Sequence, residues 1–332
     1  MKLKRVGSLL LILCCVGSVS LTAEAATVKS ERRFDFTFDV IVKNLPSSAR
    51  DVRIWIPVAT SNSHQTVRIV KLVTSVPTRM TRDPSFGNQI LYAEIHHPRS
   101  PHAEFKVAYR VTRYEYSRGN YHTLRNEEDP GAAPASVLRY LQPDRLVQTT
   151  GLIAQVSEET TRNQNDALDK AYALYNYVFE HMRYDKSGTG WGRGDAVWAC
   201  DTRRGNCTDF HSLFIGLARA ARIPARFDIG FPLPSSSVES GEIPGYHCWA
   251  EFYVEGLGWI PVDISEAWLD PSMHNFYFGS LDANRVEFST GRDIVLSPRQ
   301  SGGPLNYFVY PYVEVDGKPF TTIVKRFSFR DQ

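Results

Sequence analysis

One cysteine in this chain stands where a thiol can ionise. Cys207 lies in the stretch GNCTDF, residues 205–210, and Phe210, Leu213, Phe214, Leu217 and Ala221 follow it at helical spacing, with Asn206 a good N-cap and Pro224 just past the end. Cys207 is therefore expected in the first turn of a buried helix. A helix N-terminus supplies roughly half a positive charge and unpaired backbone N–H groups, which favour the thiolate and can hold a developing oxyanion. Position alone leaves two roles open, a nucleophile or a small buried side chain.

A cysteine nucleophile wants an imidazole to take its proton, and the imidazole wants an acceptor on its other nitrogen to fix its tautomer. The segment GYHCWAEFYVEGLGWIPVDISEA offers both, with 16 residues from His247 to Asp263 and a turn around Glu255, Gly256, Leu257 and Gly258. Strand parity decides whether they meet. A four-residue loop pairing Val254 with Trp259 puts the two side chains on opposite faces, whereas an odd loop, Tyr253 opposite Trp259, makes them diagonal neighbours on one face. Gly256, Gly258 and Pro261 favour the odd, bulged register. His211 is a poorer base, because helical side chains lean toward the N-terminus and place it one turn behind the thiol. Cys248 alternates with His247 and is expected to face the opposite side, not as a second nucleophile. Trp198 and Trp191 precede the nucleophile; an indole N–H is a possible oxyanion donor, set against a plain role lining the cleft. Asp209 is expected to pair with the helix dipole, and Gly205 to let a substrate backbone approach.

These three stretches, GNCTDFHSLFIGLARAARIPAR, GYHCWAEFY and GLGWIPVDISEA, resemble in order and spacing the catalytic core of the transglutaminase-like superfamily, most of all its secreted bacterial members. The resemblance covers about residues 165–267. It implies an α+β fold, a papain-like core with a Cys-His-Asp triad at Cys207, His247 and Asp263. It also implies acyl transfer: thiolate attack on an amide, loss of ammonia or an amine, and a thioester resolved by an amine or by water. Two alternatives stand beside it, a thiol peptidase or amidase acting on peptide or cell-wall amides, and a non-catalytic surface binding or scaffold protein with the same fold.

The elements that must carry these residues follow from periodicity. Alternation places Phe34, Phe36, Phe38, Val40 and Val42 on one strand face, Val52, Ile54, Ile56 and Val58 on another, and Phe105, Val107, Tyr109 and Val111 on a third, which reads as an antiparallel β domain over 26–118. Pro130, Gly131 and Pro134 mark its boundary with a core over 119–290. Leu168, Ala171, Tyr172, Tyr175, Val178, Phe179 and Met182 predict an amphipathic helix capped by Asn165. The glycine-rich SGTGWGRGDAVW lacks a GK[ST] or a preceding strand and reads as a flexible loop. PLPSSSVESGEIPG reads as a loop bordering the cleft. Residues 291–332, with a strand-like NYFVYPYVEV, read as a C-terminal extension.

Composition sets the outer bounds. The 332 residues are 42% hydrophobic and 12% aromatic, with 38 basic against 36 acidic side chains, so a globular chain is expected without an electrostatic footprint for nucleic acid. A basic start at Lys2, Lys4 and Arg5, an apolar stretch to Leu21 and the Ala23-Glu24-Ala25 pattern predict a signal peptide over 1–25, with export to the periplasm or outside and no membrane span after cleavage. Cys14 and Cys15 leave with it. The odd set Cys200, Cys207 and Cys248 keeps at least one thiol unpaired within the chain, with a Cys200–Cys248 disulfide left open. No spacing suggests a metal or cofactor; a protein or peptide substrate is the partner that the resemblance implies.

Overall fold

The computed structural model describes residues 30–125 and 135–332. The signal segment 1–25 and the boundary residues Pro130, Gly131 and Pro134 lie outside the described residues. Six strands open the fold: β1 (Glu31–Val42), β2 (Asp51–Val58), β3 (Gln65–Thr74), β4 (Thr78–Arg82), β5 (Gln89–His96) and β6 (Ala103–Tyr114). The short β7 (Tyr116–Ser117) leads into α1 (Tyr121–Leu124), α2 (Leu152–Thr161) and α3 (Ala167–His181), then β8 (Arg183–Tyr184), α4 (Ala196–Thr202), β9 (Arg204–Gly205) and α5 (Cys207–Ala220). After α5 come β10 (Ala225–Pro232), β11 (Ser240–Glu242), β12 (His247–Val254), β13 (Gly258–Val262), α6 (Ile264–Leu269), β14 (Ser280–Leu281) and β15 (Arg285–Thr290). The chain finishes with β16 (Tyr312–Val315), β17 (Lys318–Pro319) and β18 (Ile323–Asp331). No helix of the described residues is long and apolar enough to cross a membrane.

Period two is realised as read. Phe34, Phe36, Phe38, Val40 and Val42 are all buried, and β1 sets Phe36 opposite Tyr109 and Val40 opposite Phe105 of β6. Burial of each such side chain is worth about 1.5–3 kcal/mol. Two five-stranded sheets result, β11-β18-β1-β6-β3 and β17-β16-β2-β5-β4, beside a four-stranded sheet β13-β12-β10-β15 that carries the site. Phe36 joins the first of these to the four-stranded sheet, its ring 5.4 Å from Phe231 of β10 and 5.5 Å from Phe288 of β15.

The boundaries differ from the sequence reading at the C-terminus. Residues 291–332 are not an appended extension: β18 pairs along β1, with Phe329 opposite Phe36 and Phe327 opposite Phe38, and β16 pairs with β2. The reason is the apolar face of β1, whose second edge and aromatic surface are completed by Phe327 and Phe329. The loop PLPSSSVESGEIPG is also tied down at its middle, where β11 pairs with β18. Helix α3 is capped by Asp166, whose carboxylate accepts from Asp169 N at 2.9 Å, one residue later than the Asn165 cap expected.

Candidate active site

Helix α5 begins where its sequence says. The Asn206 side chain accepts from Thr208 N at 2.9 Å, while Asp209 reaches back to Asn206 N at 3.0 Å, a reciprocal capping box. Cys207 is thus the first helical residue, 2% exposed, at the positive end of a helix buried along nearly its whole length. As the first helical N–H, that of Cys207 has no intrahelical acceptor, which makes it a donor for charge developing on a substrate oxygen.

Asp209 does more than meet the dipole. Its carboxylate also accepts from Gly192 N at 2.6 Å and Gly194 N at 2.9 Å, and Arg292 donates to the carbonyls of Arg193 and Gly194. The glycine-rich stretch is therefore a loop folded onto the start of α5, which corrects the reading of it as flexible. Gly194, with φ of 63°, packs where a Cβ would overlap Ser212 and Thr208. Gly205 has a reason within the chain as well, since a Cβ there would overlap the Asp209 side chain of the capping box.

His247 starts β12 and Asp263 follows β13. Tyr253 stands opposite Trp259 and Val254 opposite Gly258, the odd register, with Gly256 and Gly258 at φ of 86° and 80°. The two side chains consequently meet: His247 Nε2 lies 2.7 Å from Asp263 Oδ2. The Cys207 thiol lies beside the imidazole, whose charge favours the thiolate. Asp263 is fully buried and also N-caps α6, accepting from Glu266 N at 3.2 Å.

Charge in the site follows from these contacts. A hydrogen bond from Cys248, then hydrogen bonding and charge from His247, hold the Cys207 thiol well below its ordinary range against the cost of burial. Burial disfavours the His247 imidazolium, yet the Asp263 charge and hydrogen bond push its pKa well above the usual histidine value. Asp263, for all its burial, is kept ionised by His247 and Arg285. The directions of these shifts favour a thiolate at Cys207 and an imidazolium at His247, backed by the Asp263 carboxylate.

His211 is excluded as the base by its surroundings. It is fully buried, its Nε2 accepts from Ile264 N at 3.1 Å, and desolvation lowers its pKa to about 4, so it stays neutral. Cys248 rests on α5, its Sγ 3.7 Å from Thr208 Oγ1 and 3.8 Å from His211 Nδ1 and close to Cys207. Alternation alone does not foresee that contact. Burial raises the Cys248 thiol well above its ordinary range, so it remains a donor. All three described cysteines are free, and Cys200 neighbours Tyr177. Trp191 Nε1 donates to Gly188 O at 3.2 Å, which commits that indole to its own loop. Trp198 lies in α4, and a Cβ on Gly190 would come 2.8 Å from its Nε1.

Two residues of the site escape sequence reading. Tyr246 Oη sits 3.1 Å from Asn206 Nδ2 and 2.9 Å from Thr208 Oγ1, clamping the first turn of α5. Arg285 Nη1 donates to Asp263 Oδ2 at 2.8 Å. Its strand is drawn close by a bulge at Ile229/Gly230, where a Cβ on Gly230 would overlap the Val286 carbonyl. Nothing local to the strand sequence RVEFST marks Arg285 out, since Glu287 is charged and Ser289 and Thr290 are polar as well.

Residues 154–264, which include Cys207, His247 and Asp263, match the family described as the Transglutaminase-like superfamily. An uncharacterized protein of Haemophilus influenzae is 27% identical over 323 residues, 87% of each chain. Among solved structures, a Cytophaga hutchinsonii chain titled as a candidate cysteine protease superposes with a TM-score of 0.59 at 14% identity, over 91% of this chain and 98% of its own. That likeness is one of fold.

Proposed function

Residues 154–264 belong to the transglutaminase-like superfamily, and from that premise we propose that the protein is an exported cysteine enzyme acting on protein or peptide amides. One observation carries the reading: Cys207, at the start of α5, lies beside His247, which is held by Asp263 at 2.7 Å. In this reading the Cys207 thiolate attacks the amide carbonyl, and the oxygen gathers charge beside the first N–H groups of α5. His247 then gives its proton to the leaving nitrogen as the tetrahedral adduct collapses to a thioester. An amine or water, deprotonated by His247, attacks the thioester and returns Cys207. Asp263 fixes the imidazole and offsets its charge without itself taking a proton. Export rests on the leader pattern at residues 1–25.

The test is a panel of glutamine peptides, casein and peptidoglycan fragments, assayed with and without a primary amine. Cys207→Ala is expected to abolish turnover while leaving the circular dichroism spectrum unchanged; undiminished turnover sinks the reading. Incorporated amine marks transfer, whereas released ammonia or a new amino terminus marks hydrolysis.

A further inference from the structure

Asp263 Oδ2 serves two cations at once. His247 Nε2 approaches it at 2.7 Å and Arg285 Nη1 at 2.8 Å. Arg285 is 2% exposed and cannot swing away: Nη2 donates to Asp282 Oδ2 at 3.0 Å, and Asp282 also accepts from Tyr277 Oη at 2.8 Å. The guanidinium lies 5.0 Å from the Trp249 ring, and a second buried cation, Arg113 of β6, lies 5.9 Å from that ring.

This matters for proton transfer. An imidazolium must be held well enough to keep its thiolate partner, yet must release its proton to the departing nitrogen of an amide. A buried carboxylate with nothing else to neutralise would hold it too tightly. We propose that Arg285 is a positioning residue that shares Asp263 Oδ2 with His247 and so limits the grip of the carboxylate on the imidazolium. The proposal rests on the triad reading given above.

Few other charges face the pair. Helix α5 contributes Cys207 and the neutral His211, whose Nε2 is 3.6 Å from Asp263 Oδ1. Helix α6 contributes Glu266, with Oε1 3.8 Å from His247 Nε2. Strand β12 itself adds Cys248, while Tyr175 of α3 stands near Asp263 and Tyr184 of β8 near Cys207. Arg285 is thus the cation bonded directly to the carboxylate, and Asp282 is the anion that competes for it.

The experiment is the rate of Cys207 alkylation by iodoacetamide against pH, on the full chain, which needs no knowledge of the substrate. The native profile is expected to show two steps, a lower one where the thiolate–imidazolium pair forms and an upper one where His247 loses its proton. Arg285→Gln should move the upper step up by about one unit, a tenfold change in that equilibrium. Arg285→Lys, which keeps the charge, should restore it. Asp282→Asn frees more of the Arg285 charge for Asp263 and should move the step down. Opposite shifts from two neighbouring substitutions are not the signature of general damage. Should Arg285→Gln fail to fold, Asp282→Asn decides alone, and an unmoved upper step overturns the role of Arg285. A native profile with one step in the ordinary thiol range overturns the triad reading, and this inference with it.

Discussion

Asp209 accepts a hydrogen bond from the backbone N–H of Gly194 at 2.9 Å, so the helix that presents the thiol also folds the loop in front of it. With Gly192 and Asn206 bonded to the same carboxylate, three backbone donors depend on one side chain. Asp209→Ala is expected to lower stability by about 3 kcal/mol or more, because bonds to a buried charge are worth about 1.5–3 kcal/mol each. Urea unfolding reads the loss. Tryptic cleavage after Arg193 should also accelerate, and an unchanged cleavage rate would contradict the role given to Asp209.

His211 gives a pH dependence whose sign is fixed. Its pKa in the folded protein lies at about 4, below the ordinary value, because burial disfavours the charged ring. As pH falls from about 6.5, the unfolded chain takes up this proton first, so stability is present above the unfolded pKa and is lost as pH falls toward the folded one. The contribution is at most about 3 kcal/mol at about 1.4 kcal/mol per unit. Urea midpoints compared between about pH 7 and pH 4.5 should fall further for the native protein than for His211→Gln; equal falls would remove His211 from the acid response.

Phe327→Ala tests whether residues 291–332 belong to the β domain. The ring lies 4.6 Å from Phe38 and 4.2 Å from Phe231, so it touches both the outer sheet and the sheet that carries His247. Loss of a buried aromatic costs about 3–5 kcal/mol. One cooperative transition shifted by that amount is expected in calorimetry; a separate early transition with the main one unmoved would mark the segment as an appendage.

What the sequence disclosed was what depends on neighbours along the chain. Period two exposed the buried face of β1, the cap and spacing around Asn206 located the start of α5, and glycines at 256 and 258 disclosed the hairpin register that brings His247 to Asp263. What stayed hidden depends on contacts across the fold. Arg285 carries no local mark of the carboxylate it will meet. Alternation spoke only of the direction of Cys248, and that it meets Thr208 and His211 of α5 is a property of the packed core. Nothing in residues 323–331 names β1 as their partner. The tally of glycines in the loop before α5 likewise suggested mobility, since the acid that pins them stands after the nucleophile.

The pairing of β1 with β18 has a consequence for the order of assembly. Arg32 donates to Asp331 across a separation of 299 residues. Everything between them, the nucleophile helix and its hairpin included, leaves the ribosome before β18 does. Until that last strand arrives, β1 presents an uncovered aromatic edge, the kind of unpaired strand that recruits other chains. Closing so long a loop is slow, because chain entropy must be lost before the contact is gained. The nascent chain therefore passes through an interval in which its sheet is one strand short, and that interval is where crowding or a chaperone would decide its yield.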